Sequence, residues 1–197
     1  DYITTHFQQF EDRLFADNFS DPSTGYQAYF DLDSYVNWFI VNEVLGNPDI
    51  FWSTYMYKSR NSDKLFTGPV WDLDIAANND YRIGDATQQL MVDVAHEPKL
   101  WIKRLMNDPA FRHAVRDRWN LIKQDKVFDL PQQVDQLSLP LHASQKKNFQ
   151  KWPILSQKVW LNLQAAGTYS GELVYLKDFL TKRIAWLDAT FNGIRFD

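Results

Sequence analysis

Three aspartates of this 197-residue chain, Asp49, Asp72 and Asp74, have the spacing and surroundings to do chemistry together. Asp49 closes an Asn47-Pro48-Asp49 turn, and Asp72 and Asp74 end the run Gly68-Pro-Val-Trp-Asp-Leu-Asp74. Between them, residues 53–58 and 64–71 read as two strands around a polar Ser-Arg-Asn-Ser-Asp loop. Thr54, Met56 and Lys58 alternate with Ser53, Tyr55 and Tyr57 in the manner of a half-buried strand. A hairpin brings its outer ends together, so carboxylates far apart in sequence can meet at its base. Such a cluster repels itself unless a cation or shared protons compensate. Ligands that are all oxygen suit Mg²⁺, Mn²⁺ or Ca²⁺.

A plainer reading stands beside this one. Aspartate is common in loops and at strand ends, where its side chain bonds nearby backbone amides. An isolated Asp-x-Asp would favour that reading. The order of elements shifts the balance: a helix, an Asn-Pro-Asp turn, a hairpin, then Gly-Pro-Val-Trp-Asp-Leu-Asp.

The elements that must position these acids begin with a helix before the turn. Asp31 or Asp33 can cap it, and Tyr35, Val36, Phe39, Ile40, Val44 and Leu45 supply apolar positions before Gly46 stops it. Asn42 and Glu43 interrupt the run. They could brace the turn, but a solvated edge is the favoured reading.

The stretch Asp31-Leu-Asp-Ser-Tyr-Val-Asn-Trp-Phe-Ile-Val-Asn-Glu43, with Asn47-Pro-Asp49, Ser53-Thr-Tyr-Met-Tyr-Lys58 and Gly68-Pro-Val-Trp-Asp-Leu-Asp74, resembles the CotH (spore coat protein H) kinase family. Similarity continues in Trp101-Ile-Lys-Arg-Leu-Met-Asn-Asp-Pro-Ala-Phe111 and Asn148-Phe-Gln-Lys-Trp152. The resemblance implies a mainly helical domain with a small antiparallel hairpin, like the C-lobe of an atypical protein kinase. It implies Asp49 as the catalytic-loop carboxylate and Asp72 as the metal-binding one, with Asp74 in support. Mg²⁺ or Mn²⁺ with ATP would be the cofactors and a protein hydroxyl the phosphate acceptor. The family shows Phe-Gly-Asn where this chain has Ala77-Asn78-Asn79. Asparagine at the glycine position is compatible with it, since it visits positive φ more readily than most residues. Losing the phenylalanine removes an apolar anchor beneath the loop. Protein kinases also carry Asn five residues after the catalytic Asp, for a second metal. Here that position is Thr54, and Asn79 is the candidate substitute.

Composition fits one domain over residues 1–197. At 45% apolar and 16% aromatic, the chain can bury a real core. No apolar run approaches the ~18 residues of a membrane span. With no cysteine, disulfides and thiolate metal sites are excluded, though cytoplasm and exterior are not distinguished. The net charge of −4 hides an asymmetry: residues 1–97 carry 16 acidic and 5 basic side chains, residues 98–197 carry 9 and 16. An acidic half joined to a basic half fits a cleft for metal and phosphate. On charge alone, two complementary solvated faces explain it better. The basic residues are spread along helices with no nucleic-acid-binding signature.

Along the rest of the chain, residues 3–15 read as an amphipathic helix with Ile3, Phe7, Phe10 and Leu14 inward. Residues 80–97 read as irregular, polar and mobile. From Pro98 helices follow, with Leu100, Trp101, Leu105 and Met106 on one face and an Asp108-Pro109 start to the next. Residues 130–163 read as further helix broken near Pro140 and Pro153, and 172–191 as a last helix with a leucine stripe.

Other chemistries find no support. The four histidines, His6, His96, His113 and His142, are scattered, against zinc. There is no Gly-x-Ser-x-Gly elbow, P-loop or dinucleotide fingerprint. In kinases the phosphate-covering loop and pairing lysine belong to an upstream lobe. This chain therefore reads as a fragment lacking that lobe and inactive alone. Two alternatives stay open: a catalytically silent scaffold or binding module, and a domain whose acids hold only Ca²⁺. The expected setting is bacterial and extracytoplasmic, secreted or at the cell surface.

Overall fold

The structure, a computed structural model, describes residues 1–52, 54–95 and 100–197. Among these it is mostly helical with one two-stranded antiparallel sheet, the α+β class expected. Helix α1 spans Tyr2–Phe15 and is capped by Asp1, which accepts from the Ile3 amide. Its inward face is His6, Phe10 and Leu14. Ile3, expected inward, is exposed, because the stripe turns toward His6, whose ring packs on Tyr2 and Tyr29.

Helix α2, Leu32–Leu45, is the centre of the molecule. Asp31 caps it by accepting the Ser34 amide at 2.9 Å. At its end Gly46 turns left-handed at φ 59°. A β-carbon there would stand 3.1 Å from the Phe179 ring, so both the turn and the close approach need glycine. The helix packs against α5 (Pro109–Ile122) and α8 (Tyr169–Phe191).

Strands β1 (Met56–Lys58) and β2 (Leu65–Thr67) pair in the register Met56↔Thr67, Tyr57↔Phe66, Lys58↔Leu65. The hairpin is shorter than the sequence pattern suggests, and Ser53 lies outside the described residues. Gly68 still donates to the Tyr55 carbonyl at 3.0 Å, and Pro69 then has no N–H to extend the ladder. The hairpin is fastened to the start of α2. Asp31 donates to Leu65, Leu65 donates to Tyr29, and the Thr67 amide donates to Ser34 Oγ at 3.1 Å.

Residues 80–95 do contain irregular turns, but they are not a polar surface. Two 3₁₀ turns and the short helix α3, Met91–Val94, bury Ala86, Leu90, Met91, Val92 and Ala95. His96 and Pro98 lie outside the described residues. Helix α4, Leu100–Leu105, buries Ile102 and Leu105. Asp108 caps α5 and also accepts the buried Tyr26 hydroxyl at 2.8 Å. Helices α6 (Leu130–Ser138) and α7 (His142–Lys151) follow. The helix expected to resume after Pro153 does not, and the chain runs in turns until Thr168 caps α8. Trp152 precedes a proline, which disfavours helical backbone there.

The two oppositely charged halves are stitched together. Arg118 pairs with Asp33, Arg195 with Asp93 and Arg183 with Glu43, so pairing across the halves meets part of the asymmetry. Among the described residues no helix is long and apolar enough to cross a membrane.

Candidate active site

The turn that carries Asp49 is built from a relay of side-chain amides. Asn42, on α2, donates to the Trp38 carbonyl at 2.8 Å. Its own oxygen accepts the Asn47 amide at 2.8 Å. The Asn47 oxygen then accepts the Asp49 backbone N–H at 3.1 Å. Asn42 and Asn47 are both buried, where an unmet amide would be costly, so each fixes the next. Asp49 emerges half-buried at the end of this relay. The solvated edge expected for Asn42 and Glu43 is therefore corrected: they are 2% and 0% exposed. α2 is apolar around most of its circumference and buries all but a narrow stripe at Asp33, Asn37 and Val41.

Asp72 arrives from the other side, in a loop of unusual backbone. Asp72, Ala77 and Asn78 have φ of 57°, 55° and 65°, a left-handed conformation that costs a residue with a β-carbon about 1–2 kcal/mol. Sites held in such conformations concentrate where function needs them. The loop is pinned accordingly. The Ala77 N–H donates to the Leu45 carbonyl at 2.7 Å. Asn78 donates to Asp85 at 2.8 Å and accepts the Ala86 amide at 2.6 Å. The asparagine at the family's glycine position is thus left-handed, and its side chain braces the loop where the missing phenylalanine would have anchored it.

Asp49 and Asp72 line one small cavity with Trp38, Asn42, Asn47, Ile50 and Trp71. Its free space is about 10 Å³, close to the room one water needs. A bare ion fits that space, and anything larger must lie outside it, over the exposed Asp72 and Trp71. The other sequence candidates stand apart from this lining. Asp74 is exposed on the same loop, and its backbone oxygen accepts the Asn79 side-chain amide at 2.8 Å. Thr54 turns its hydroxyl to the Ile50 carbonyl at 2.9 Å. No group of three or more His, Asp or Glu placed to hold a metal occurs among the described residues. Two carboxylates nevertheless fit Mg²⁺ or Mn²⁺, which bind through one or two such groups and complete their shell with water and phosphate oxygens.

Behind the site lies a buried ion pair. Arg183 on α8 donates to Glu43 Oε2 and to the Glu43 carbonyl, at 2.9 and 2.8 Å. It also donates to the carbonyls of Ala86 and Gln89. Glu43 in turn accepts the Met91 and Val92 amides. Burial pushes the Glu43 carboxyl up to about 6, against the opposing pull of Arg183 and those amides. One arginine thus ties α8, α2 and the 86–92 segment together, and with them the frame under both aspartate loops. In the sequence Arg183 is only one cation within a leucine stripe.

A helical body that sets two aspartate loops against each other at the foot of a short hairpin defines a kinase-like α+β domain. The family model described as CotH kinase protein matches residues 1–187, and the chain belongs to that family. No curated protein and no solved structure matches it.

Proposed function

We propose that this is an ATP- and divalent-metal-dependent kinase domain that transfers phosphate to a protein hydroxyl. The observation carrying it is the meeting of Asp49 and Asp72, from separate loops, on one cavity. In this reading Asp72 holds the metal, and Asp49 orients the acceptor hydroxyl and takes its proton. The metal, when bound, neutralises charge on the phosphates. Asp74 and Asn79 keep the shape of the loop. The groups that would grip the rest of the nucleotide are not assigned to this chain, and the setting we infer is extracytoplasmic.

The test is phosphate transfer from labelled ATP with Mg²⁺ or Mn²⁺, using the protein in its longest natural form. Asp72→Asn should abolish transfer and weaken metal-dependent ATP binding. Asp49→Asn should lower kcat by ~100-fold or more while leaving binding near its original strength. Transfer that persists in Asp72→Asn would overturn the assignment. A second reading, a module that binds without transferring, is favoured by Thr54, whose hydroxyl is turned to Ile50. Metal and ATP binding without turnover would select it.

A further inference from the structure

Helices α6 and α7 form an arm with no interior of its own: neither of them buries a residue. The arm is nevertheless fixed to the body. Lys177 on α8 donates to Asp135 of α6 at 2.6 Å, and Phe149 of α7 meets the Tyr169 ring at 6.1 Å between centroids. The corner where α6 turns into α7 carries Leu137, Leu139 and Leu141, which are 65%, 75% and 51% exposed. Two exposed tryptophans follow, Trp152 at the end of α7 and Trp160 in the turns beyond it. Exposed apolar residues gathered in this way mark an interaction surface.

The charge of the arm is one-sided as well. From residue 136 to residue 171 the chain has no Asp or Glu, but it carries Lys146, Lys147, Lys151 and Lys158. Among the described residues none of these four forms an ion pair, whereas Lys123, Lys177 and Lys182 each do. At 3.6 residues per turn, positions two before and two after Phe149 lie on the opposite side of α7. Those positions are Lys147 and Lys151, both exposed, so their ammonium groups face away from the body. Lys151 also stands 5.3 Å from the centre of the Trp152 ring.

A solvated arm accounts for the lysines and leaves the leucines unexplained. An acidic protein surface would take the lysines but would need a socket shaped to the leucine corner. A bilayer of anionic lipid takes both without a matching shape. Its headgroups attract lysine, its interface favours tryptophan, and its acyl boundary accepts leucine. An apolar group and a basic patch together supply the two signals that stable attachment to a membrane surface needs.

We propose that the α6–α7 arm docks on an anionic phospholipid surface. Leu137, Leu139 and Leu141 enter the acyl boundary, and Lys147 and Lys151 meet the headgroup phosphates. The attachment is peripheral and does not depend on the kinase reading.

Co-sedimentation of the protein with vesicles tests this. One set of vesicles holds phosphatidylcholine and phosphatidylglycerol in equal parts, the other phosphatidylcholine alone. Two variants change exposed positions only: Lys146→Glu with Lys147→Glu and Lys151→Glu, and Leu139→Ser with Leu141→Ser. A melting curve establishes that each is folded. Binding to the anionic vesicles should fall ~10-fold or more in each variant and on phosphatidylcholine alone. It should also weaken in about 1 M salt, where the screening length drops to ~3 Å. A wild type that does not bind, or a folded variant that binds as well as the wild type, would overturn the proposal. So would capture of polyglutamate in place of vesicles, which would assign the arm to an acidic protein. A dimer in sedimentation velocity that Leu139→Ser with Leu141→Ser dissociates would overturn it in favour of a second copy. If a variant does not fold, the wild type decides: equal binding to both kinds of vesicle refutes the role of the lysines, and selective binding supports it.

Discussion

Asn42→Ala is the perturbation that separates the frame of the site from its chemistry. It deletes the hydrogen bond to Trp38 and the acceptor for the Asn47 amide. Each net hydrogen bond is worth about 1 kcal/mol, and leaving a buried amide unmet costs about 1–3 kcal/mol. The sum is about 2–4 kcal/mol, partly recovered if water enters. A chain of this size loses roughly 2–4 °C in melting midpoint per kcal/mol, so a fall of about 5–15 °C is expected. Asn42 also lines the cavity with Asp49, so Mg²⁺-dependent ATP binding should weaken in the folded variant. Urea unfolding followed by Trp fluorescence gives the first quantity, and calorimetric titration below the melting range gives the second. A loss of under 0.5 kcal/mol with unchanged binding would show that the relay does not hold the Asp49 turn.

Three other outcomes follow from the same geometry. Asp72→Gly should stabilise the fold by up to about 1 kcal/mol, since glycine adopts φ 57° without strain, yet remove metal-dependent ATP binding; a loss of stability in urea would contradict the strain. Arg183→Met leaves Glu43 without its cation and should cost about 3–5 kcal/mol in the same experiment; a loss below 1 kcal/mol would mean the pair is not fully buried. The third concerns pH. Burial raises the Glu43 carboxyl to about 6 from an ordinary value of 4.5, so the folded state holds this proton more tightly than the unfolded one. Its contribution to stability is fully present below pH 4.5 and lost as pH rises to about 6. The wild type should lose stability relative to Glu43→Gln across that window, and parallel pH profiles would refute the shift.

The sequence made the frame of α2 legible because its signals are local. Asp31 and Ser34 are three residues apart, and Gly46 directly follows the last apolar turn. The hairpin was legible for the same reason, although its strands end sooner than the apolar pattern does. The left-handed Asn78 followed from comparing residue types at one position. What stayed hidden depends on contacts across the chain. Glu43 is satisfied by residues 48, 49 and 140 positions away, and without them a buried glutamate and a solvated one look alike. Residues 80–97 read as polar because aspartates and glutamines flank the apolar residues that turn inward between 86 and 95. Those polar groups are engaged as well: Asp80 and Asp85 accept from backbone amides in the 3₁₀ turns. Of the five candidate residues, Asp49 and Asp72 share a cavity, whereas Asp74, Thr54 and Asn79 do not line it. Asn42 was visible only as an interruption in an apolar helix.

The central claim is that Asp72 holds a divalent ion that brings a nucleotide to Asp49. Its most direct test is the melting midpoint of the longest natural form with Mg²⁺ or Mn²⁺ and ATP, beside Asp72→Asn. Asparagine tolerates the left-handed backbone at this position, so the variant removes charge rather than fold. Ligand at ~100 times its Kd adds about 2.7 kcal/mol, which is roughly 5–10 °C here. The account predicts that shift in the wild type, only with metal and ATP together, and its loss in Asp72→Asn. An equal shift in both proteins would place the ion elsewhere and contradict the account.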